Sequence, residues 1–372
     1  MKKSFLKIIA LSLAAASLSA SLIGCSEASK RDGAGLPTIK IGLIVQDAVR
    51  PGLIVAAEEL GYYKEEGVNV EFVSVDSVPS GIAAVETGKV DIFPFSVMML
   101  SSIAKGSDGA FIAGTATEGS SLVAGKNSLD VDWTDWTQWK GKKIGATPTS
   151  PITYLLLQYI KDQDPTFNED DVQWLEFDDN NVLLEALAKG EVDAGLLTTE
   201  RVWLAEERGL REAFDVAEFL PEYLCCRQQT TLSTIEEKRD ALVSVLRAQI
   251  RTEWDYKNDT EKVLKAVADY TTQDYDKVKR YIGEAKDYNF TGLTNFRNPV
   301  STNPMYNKIV QYDKVSITCG YYQPNEDVNL KDHVDLSLYE DALNQLIEKN
   351  SNDETYKQIL KIFKQDSSEY WI

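Results

Sequence analysis

The chain has 372 residues, of which 43% are hydrophobic, with 12 Phe, 17 Tyr and 7 Trp, so it can bury more than one core and two domains are expected. Its formal net charge of −19 repels DNA, RNA and anionic lipid, which argues against nucleic-acid binding. A single histidine, His333, leaves little for a histidine-based metal centre or catalytic triad, and Cys225, Cys226 and Cys319 cannot all pair within one chain.

In chain order, Lys2, Lys3 and Lys7 precede an uncharged run of apolar and small residues from Ile8 to Leu22, then Ile23-Gly24-Cys25. The run is too short for a hydrocarbon core of about 30 Å and reads as a secretion signal, residues 1–24. Leu22-Ile23-Gly24-Cys25 resembles the lipobox of bacterial lipoproteins, with an aliphatic residue three before the cysteine and a small one just before it. That resemblance implies cleavage before Cys25 and lipidation of its sulfur, with acyl chains such as palmitate. It also implies a protein anchored to the cell membrane on its extracytoplasmic face. Residues 25–37 then comprise the lipidated cysteine and a small, polar, Gly-rich tether.

Strand 39–45 leads to helix 51–61, with Pro51 in its first turn, then strand 68–75, helix 79–87, strand 90–93, helix 96–105 and strand 110–115. Segment 120–125 crosses to a second lobe. There strand 142–146, helix 151–161, strand 172–177, helix 181–189, strand 192–197 and helix 200–207 repeat the pattern, and strand 214–219 and segment 223–228 lead back. A long helix is expected over 233–257, and 261–285 and 337–364 also read as helical. Alternating apolar strands and helices predict an α/β protein with mostly parallel sheets covered on both faces. The expected division is lobe I over 38–119 and 226–345, lobe II over 120–225, and a helical tail, 346–372, packed outside one lobe. Two crossings between lobes make a hinge.

The chain echoes itself. Ala84, Gly88, Val90 and Asp91 recur as Ala186, Gly190, Val192 and Asp193, and Ser96 recurs as Thr198. Upstream, Lys40-Ile41-Gly42 recurs as Lys143-Ile144-Gly145. Two echoes in the same order and at nearly equal offset imply two lobes built on one plan. Each unit reads as a helix end, a glycine cap, a short buried strand and a hydroxyl residue where the next helix begins.

The run Ala57-Glu58-Glu59-Leu60-Gly61-Tyr62-Tyr63-Lys64-Glu65-Glu66-Gly67-Val68-Asn69-Val70-Glu71 resembles the signature of the sulfonate, nitrate, taurine and thiamine-precursor binding proteins, the NMT1/THI5-like family. The Gly-x-Val-Asp units at 88–91 and 190–193 and Trp139-Lys140-Gly141-Lys142-Lys143-Ile144-Gly145 resemble it too. The resemblance implies the type II periplasmic binding fold, partnership with the permease and ATPase of an ABC importer, and capture of a small polar ligand by a monomer without a cofactor. The ligand would be a sulfonate, taurine, nitrate or an aminopyrimidine. The alternative is a secreted enzyme, such as a pyrimidine-precursor biosynthesis relative, or a sensor module on the same fold.

In open parallel sheets ligands bind beyond the carboxyl ends of the strands. The candidates there are Gln46, Asp47, Phe95 and Ser96 in the first lobe and Thr117 and Glu118 at the crossing. Thr147, Thr149, Ser150, Thr198, Thr199 and Glu200 are their counterparts in the second. Ser150 before Pro151 is a helix cap or an anion site. Asp47 and Glu118 are solvated loop charges, or they favour a ligand bearing donors or a positive group. Arg227 either supplies the opposite charge or forms a salt bridge. Cys225-Cys226 reads as two small apolar strand residues, although the thiamine-precursor branch carries a cysteine-rich motif there. Trp133, Trp136 and Trp139 read as one packed helix face or a stacking platform. Asp178, Asp179, Asn180 and Asn181 lack the spacing of a calcium loop, and Asn180 reads as a helix cap. Neither a metal site nor a catalytic set is expected.

Overall fold

The computed structural model describes residues 35–147, 152–221, 223–283 and 299–372. The expected signal segment 1–24, Cys25 and most of the tether lie outside the described residues, as do Thr149, Ser150 and Pro151. Among the described residues no helix is long and apolar enough to cross a membrane.

The first lobe opens with β1 (Thr38–Leu43), α1 (Gly52–Glu59), α2 (Tyr62–Glu65), β2 (Asn69–Ser74), α3 (Val78–Glu86), α4 (Met99–Ile103) and β3 (Gly109–Thr117). The second contains β4 (Ser120–Ala124), β5 (Lys143–Ala146), α5 (Ile152–Gln163), β6 (Gln173–Glu176), α6 (Asn180–Lys189), β7 (Ala194–Thr198), α7 (Thr199–Glu207) and β8 (Arg211–Asp215). The chain returns along β9 (Leu224–Thr231) into α8 (Leu232–Asn258). It continues through α9 (Thr260–Thr271), α10 (Tyr275–Ile282), α11 (Tyr306–Thr318), α12 (Ser337–Lys349) and α13 (Glu354–Asp366).

The second lobe has one five-stranded sheet in the order β6-β5-β7-β4-β8, parallel across the first two junctions and antiparallel across the last two. The first lobe follows the same plan with a thinner middle. There β2 pairs parallel with β1, Ile41 bridges parallel to Ile92, Phe93 bridges antiparallel to Gln229 of β9, and β9 pairs antiparallel with β3. Both sheets are therefore mixed, which corrects the expectation of mostly parallel sheets. The antiparallel junctions come from β4 and β9, the strands that enter each sheet from the other lobe.

Hydrogen bonds account for the sequence echo. The backbone N–H of Lys40 donates to Asp91 Oδ2 at 2.8 Å, and that of Lys143 donates to Asp193 Oδ2 at 2.9 Å. In return Asp91 N–H donates to the Lys40 carbonyl and Asp193 N–H to the Lys143 carbonyl, both at 2.8 Å. Thus the second echo supplies the strand residue that the aspartate of the first one pins. Gly88 and Gly190 take the left-handed conformation, with φ of 67° and 75°. This lets the next N–H groups, those of Lys89 and Glu191, close back on the carbonyls of Ala84 and Ala186.

Alternation along the strands makes the cores. Leu122 and Ala124 of β4 face one side, with Trp133, Trp139, Ile144 and Phe214, while Val123 faces the other, with Leu183, Leu187 and Val202. The first lobe has a single large core joining Ile39, Ile41, Phe93 and Phe111 to Leu242, Leu246 and Leu343. Leu346, Tyr356, Ile359 and Phe363 of the C-terminal segment are buried in that same core. The tryptophan set lies on a loop and a single 3-10 turn, Trp136–Trp139, rather than on one helix. Trp139 meets Trp133, Trp136, Phe167 and Trp174 edge-on, which makes the set core. Asp179 rather than Asn180 caps α6, accepting from the N–H groups of Asn181 and Val182.

Candidate functional site

The segments after the first strands of each sheet converge on a cavity of about 100 Å³. After β1 a short 3-10 turn, Val45–Asp47, holds the chain at the sheet edge until Pro51, so Ile44, Asp47 and Arg50 all reach the cavity. Phe95 and Ser96 follow the bridging pair 92–93. Ser96 has a φ of 64°, and its Oγ accepts from Met98 N–H at 3.2 Å. The second lobe adds Ser120, Thr147, Asn180 and Thr198. The return strand adds Tyr223, Leu224, Cys225 and Cys226, and α11 adds Tyr312.

Of the residues expected from the sequence, Asp47, Phe95, Ser96, Thr147 and Thr198 share this cavity. Gln46 instead lines an adjoining depression of about 280 Å³ with Glu200, Arg201 and Trp203. Thr117, Glu118 and Thr199 are buried at the crossing. Their N–H groups donate to the carbonyls of Pro299, Tyr223 and Gly119, so they form the hinge and do not line the cavity. Thr149 and Ser150 lie outside the described residues. Arg227 faces away from the cavity and is buried. Its guanidinium donates to the carbonyls of Pro304, Ala116 and Cys226 and to Met305 Sδ, and burial pushes its pKa down to about 10. It is a structural arginine that does not line the cavity.

The cationic group at the cavity is Arg50. Its Nη2 meets Glu200 Oε2 at 3.0 Å, its Nε donates to Tyr281 Oη at 3.2 Å, and its Nη1 lies 3.4 Å from Cys225 Sγ. Beside it, Arg201 Nη1 meets Asp47 Oδ1 at 2.5 Å, and Arg201 Nε donates to Asn181 Oδ1. Asp47 and Arg50 belong to the first lobe and Glu200 and Arg201 to the second, so the two ion pairs cross the cleft in opposite senses. Burial and the nearby Glu200 push the Asp47 carboxyl above its ordinary range against the two arginines. Burial works the same way on Glu200, but Arg50 and Arg201 hold its carboxyl below the ordinary range. Around the rim, Trp203 meets Tyr281 edge-on at 5.4 Å, Arg280 pairs with Glu206 at 2.8 Å, and Tyr154 packs on Tyr321.

Arg50 is not among the residues expected from the sequence; its place directly before Pro51 and three residues after Asp47 is the signal that could have found it. Nothing in the sequence pointed to Tyr312, which arrives from α11, well past the return strand β9. Among the described residues there is no group of three or more His, Cys, Asp or Glu side chains placed to hold a metal.

Two lobes of matching sheet order, joined by two crossing strands around a small polar cavity, define the type II periplasmic binding fold. The chain belongs to the NMT1/THI5-like family, whose model matches residues 52–259. Solved structures with this fold include a ligand-binding component of an ABC-type import system from Staphylococcus aureus, with zinc bound. It is 15% identical with a TM-score of 0.65, over 82% of this chain and 99% of that one. The periplasmic nitrate-binding protein NrtA from Synechocystis is 12% identical with a TM-score of 0.67, over 84% and 89%. The alkanesulfonate-binding protein SsuA from Xanthomonas axonopodis, bound to MOPS, is 16% identical with a TM-score of 0.62, over 82% and 100%. The fold also carries an enzyme, the desulfurization enzyme DSZB, 12% identical with a TM-score of 0.58, over 83% and 99%. No curated protein matches the chain in sequence.

Proposed function

We propose that this chain is the lipid-anchored, extracytoplasmic solute-binding protein of an ABC importer. It captures a small polar ligand between its lobes and presents it to a permease and ATPase. The observation that carries this reading is the opposed pair of ion bridges, Arg50–Glu200 and Arg201–Asp47, beside a cavity lined by both lobes. Groups that bind only when two bodies meet couple occupancy to closure. Family membership and the import proteins that share the fold support the transport role.

Within the ligand class, the cavity favours a zwitterion such as taurine or an aminopyrimidine over nitrate or a simple sulfonate. Both arginines already face carboxylates, so an anion would compete with Asp47 and Glu200, whereas a ligand carrying donors meets them as acceptors. The test is thermal unfolding of the reduced soluble domain with taurine, an aminopyrimidine, an alkanesulfonate and nitrate in turn. A bound ligand at a hundredfold excess over Kd adds about 2.7 kcal/mol, so Tm should rise for the first two. No shift with any of the four would reject the ligand class. The anchor has its own test. Cys25→Ala should move the protein from the membrane fraction to the soluble one, and continued acylation of that variant would reject Cys25 as the lipidated residue.

An enzyme on the same fold has one observation in its favour, the acidic thiol of Cys226. Burial opposes its ionisation, but Cys225 and Arg50 bring it down to about 6. Turnover of the same compounds by the reduced protein would favour that reading.

A further inference from the structure

Consecutive residues of a strand point to opposite faces, so adjacent cysteines in a regular strand keep their sulfurs apart. Here the ladder between β3 and β9 slips: Ala116 pairs with Cys226 and Thr117 with Leu224, which leaves Cys225 unpaired at a bulge. A bulge re-aims side chains. It brings the two sulfurs to 2.9 Å, both reduced and both on the cavity wall. Cys225 is partly exposed and Cys226 is buried. Arg50 Nη1 lies 3.4 Å from one sulfur and 3.9 Å from the other.

From this geometry we infer that Cys225 and Cys226 form a redox-active dithiol, which a small peroxide entering the cleft converts to a vicinal disulfide. The thiolate attacks one oxygen of hydrogen peroxide; a sulfur–oxygen bond forms, the oxygen–oxygen bond breaks, and the departing hydroxide takes a solvent proton. The other thiol of the pair, losing its own proton, then attacks the sulfenic sulfur; the sulfur–sulfur bond forms and the second oxygen leaves as water. Two thiols are oxidised and one peroxide is reduced to two waters. The cavity of about 100 Å³ accepts an oxidant of this size. Adjacent cysteines close only a strained ring, which belongs to the labile, reversible class of disulfides. Oxidation removes negative charge from the sulfurs beside Arg50, which keeps Glu200 and Tyr281 as its partners. The chemistry does not depend on the ligand or on the import role.

The groups that face the pair and shape its titration are Arg50, Arg227, Glu200, Tyr223, Tyr281 and Tyr312, with a backbone hydrogen bond at Ser96. The experiment takes the reduced full-length chain, treats it with hydrogen peroxide and maps its peptides by mass spectrometry. A Cys225–Cys226 link, reversed by dithiothreitol, is the expected product. In parallel, iodoacetamide should label the Cys225–Cys226 pair at a lower pH than Cys319. Cys225→Ser should stop the reaction at a sulfenic acid that dimedone traps, and Arg50→Lys should keep the low-pH labelling that Arg50→Met loses. Labelling of the Cys225–Cys226 pair no earlier than Cys319, or peroxide treatment of the unvaried chain that yields sulfinic acid without the link, would overturn the inference.

Discussion

Individual side chains behave here as their burial and partners require, and Glu253 makes the point quantitatively. It lies on α8, fully buried, accepting from Ser301 Oγ at 3.0 Å, from Thr302 N–H at 3.1 Å and from the Thr302 hydroxyl. Burial outweighs these donors and pushes the carboxyl up to about 7. A folded pKa above the unfolded value means that protonation favours the folded state. Stability from this group is therefore full below about pH 4.5 and declines as pH rises to 7. The decline should reach on the order of 3 kcal/mol, and Glu253→Gln should flatten it. Urea unfolding of both proteins from pH 4 to 8 measures this; parallel curves would show that Glu253 is charged throughout. The same local logic explains what sequence alone could not resolve at the site. Residue type made Arg227 attractive, but strand alternation turns it inward, and the bulge at Cys225 that puts both thiols in the cavity has no sequence mark.

Elements were legible where one glycine, one apolar run and one acidic cap coincide, as in the paired Gly-x-Val-Asp units. Strand direction was not legible, because apolar periodicity is the same for parallel and antiparallel neighbours. Two helix breaks were also invisible. Thr272, with a φ of 52°, separates α9 from α10, and the chain leaves the helix between Asn350 and Asp353, separating α12 from α13. The echo itself makes a test at this scale. Asp91 and Asp193 each satisfy the first strand of their own sheet, so replacing either with Ala leaves a strand N–H unpaired. Each change should cost about 2 kcal/mol. Because the residues sit in different sheets, the double variant should cost close to the sum. Asp193 adds a pH signature. Burial raises its carboxyl, but donors from Lys143 N–H and Ser128 Oγ together with Lys142 bring it below the ordinary range. Its stabilisation is therefore full above the unfolded value and fades as pH falls through the lower folded one, so the cost of Asp193→Ala should shrink in acid. Chemical unfolding of both single variants and the double decides the matter, and a cost under half a kilocalorie in either would mean that the aspartate does not hold its strand.

At the scale of the whole molecule, the charge order across the cleft sets how the lobes meet. Asp47 and Arg50 face Arg201 and Glu200, so each lobe offers one charge of each sign and a slipped closure would set like charges together. The two pairs are unequal. Burial, and after it repulsion from Glu200, raises the Asp47 pKa, so protonation there favours the closed form. Glu200 is the reverse: its lowered pKa means that closure holds it charged, with Arg50 as the main counter-ion. Breaking a buried pair from one side costs roughly 3–5 kcal/mol. Glu200→Gln should therefore open the ligand-free protein, raising its radius of gyration in small-angle scattering, while Asp47→Asn should leave it almost unchanged. Acidification should follow the same asymmetry, with no opening as Asp47 takes its proton and opening only below the ordinary glutamate range, about pH 4. Removing both Arg50 and Glu200 should restore much of the closure that Glu200→Gln loses, since no uncompensated charge then remains. Equal scattering from Glu200→Gln and the unvaried protein would mean that aromatic packing at Trp203 and Tyr281, rather than charge, holds the lobes together.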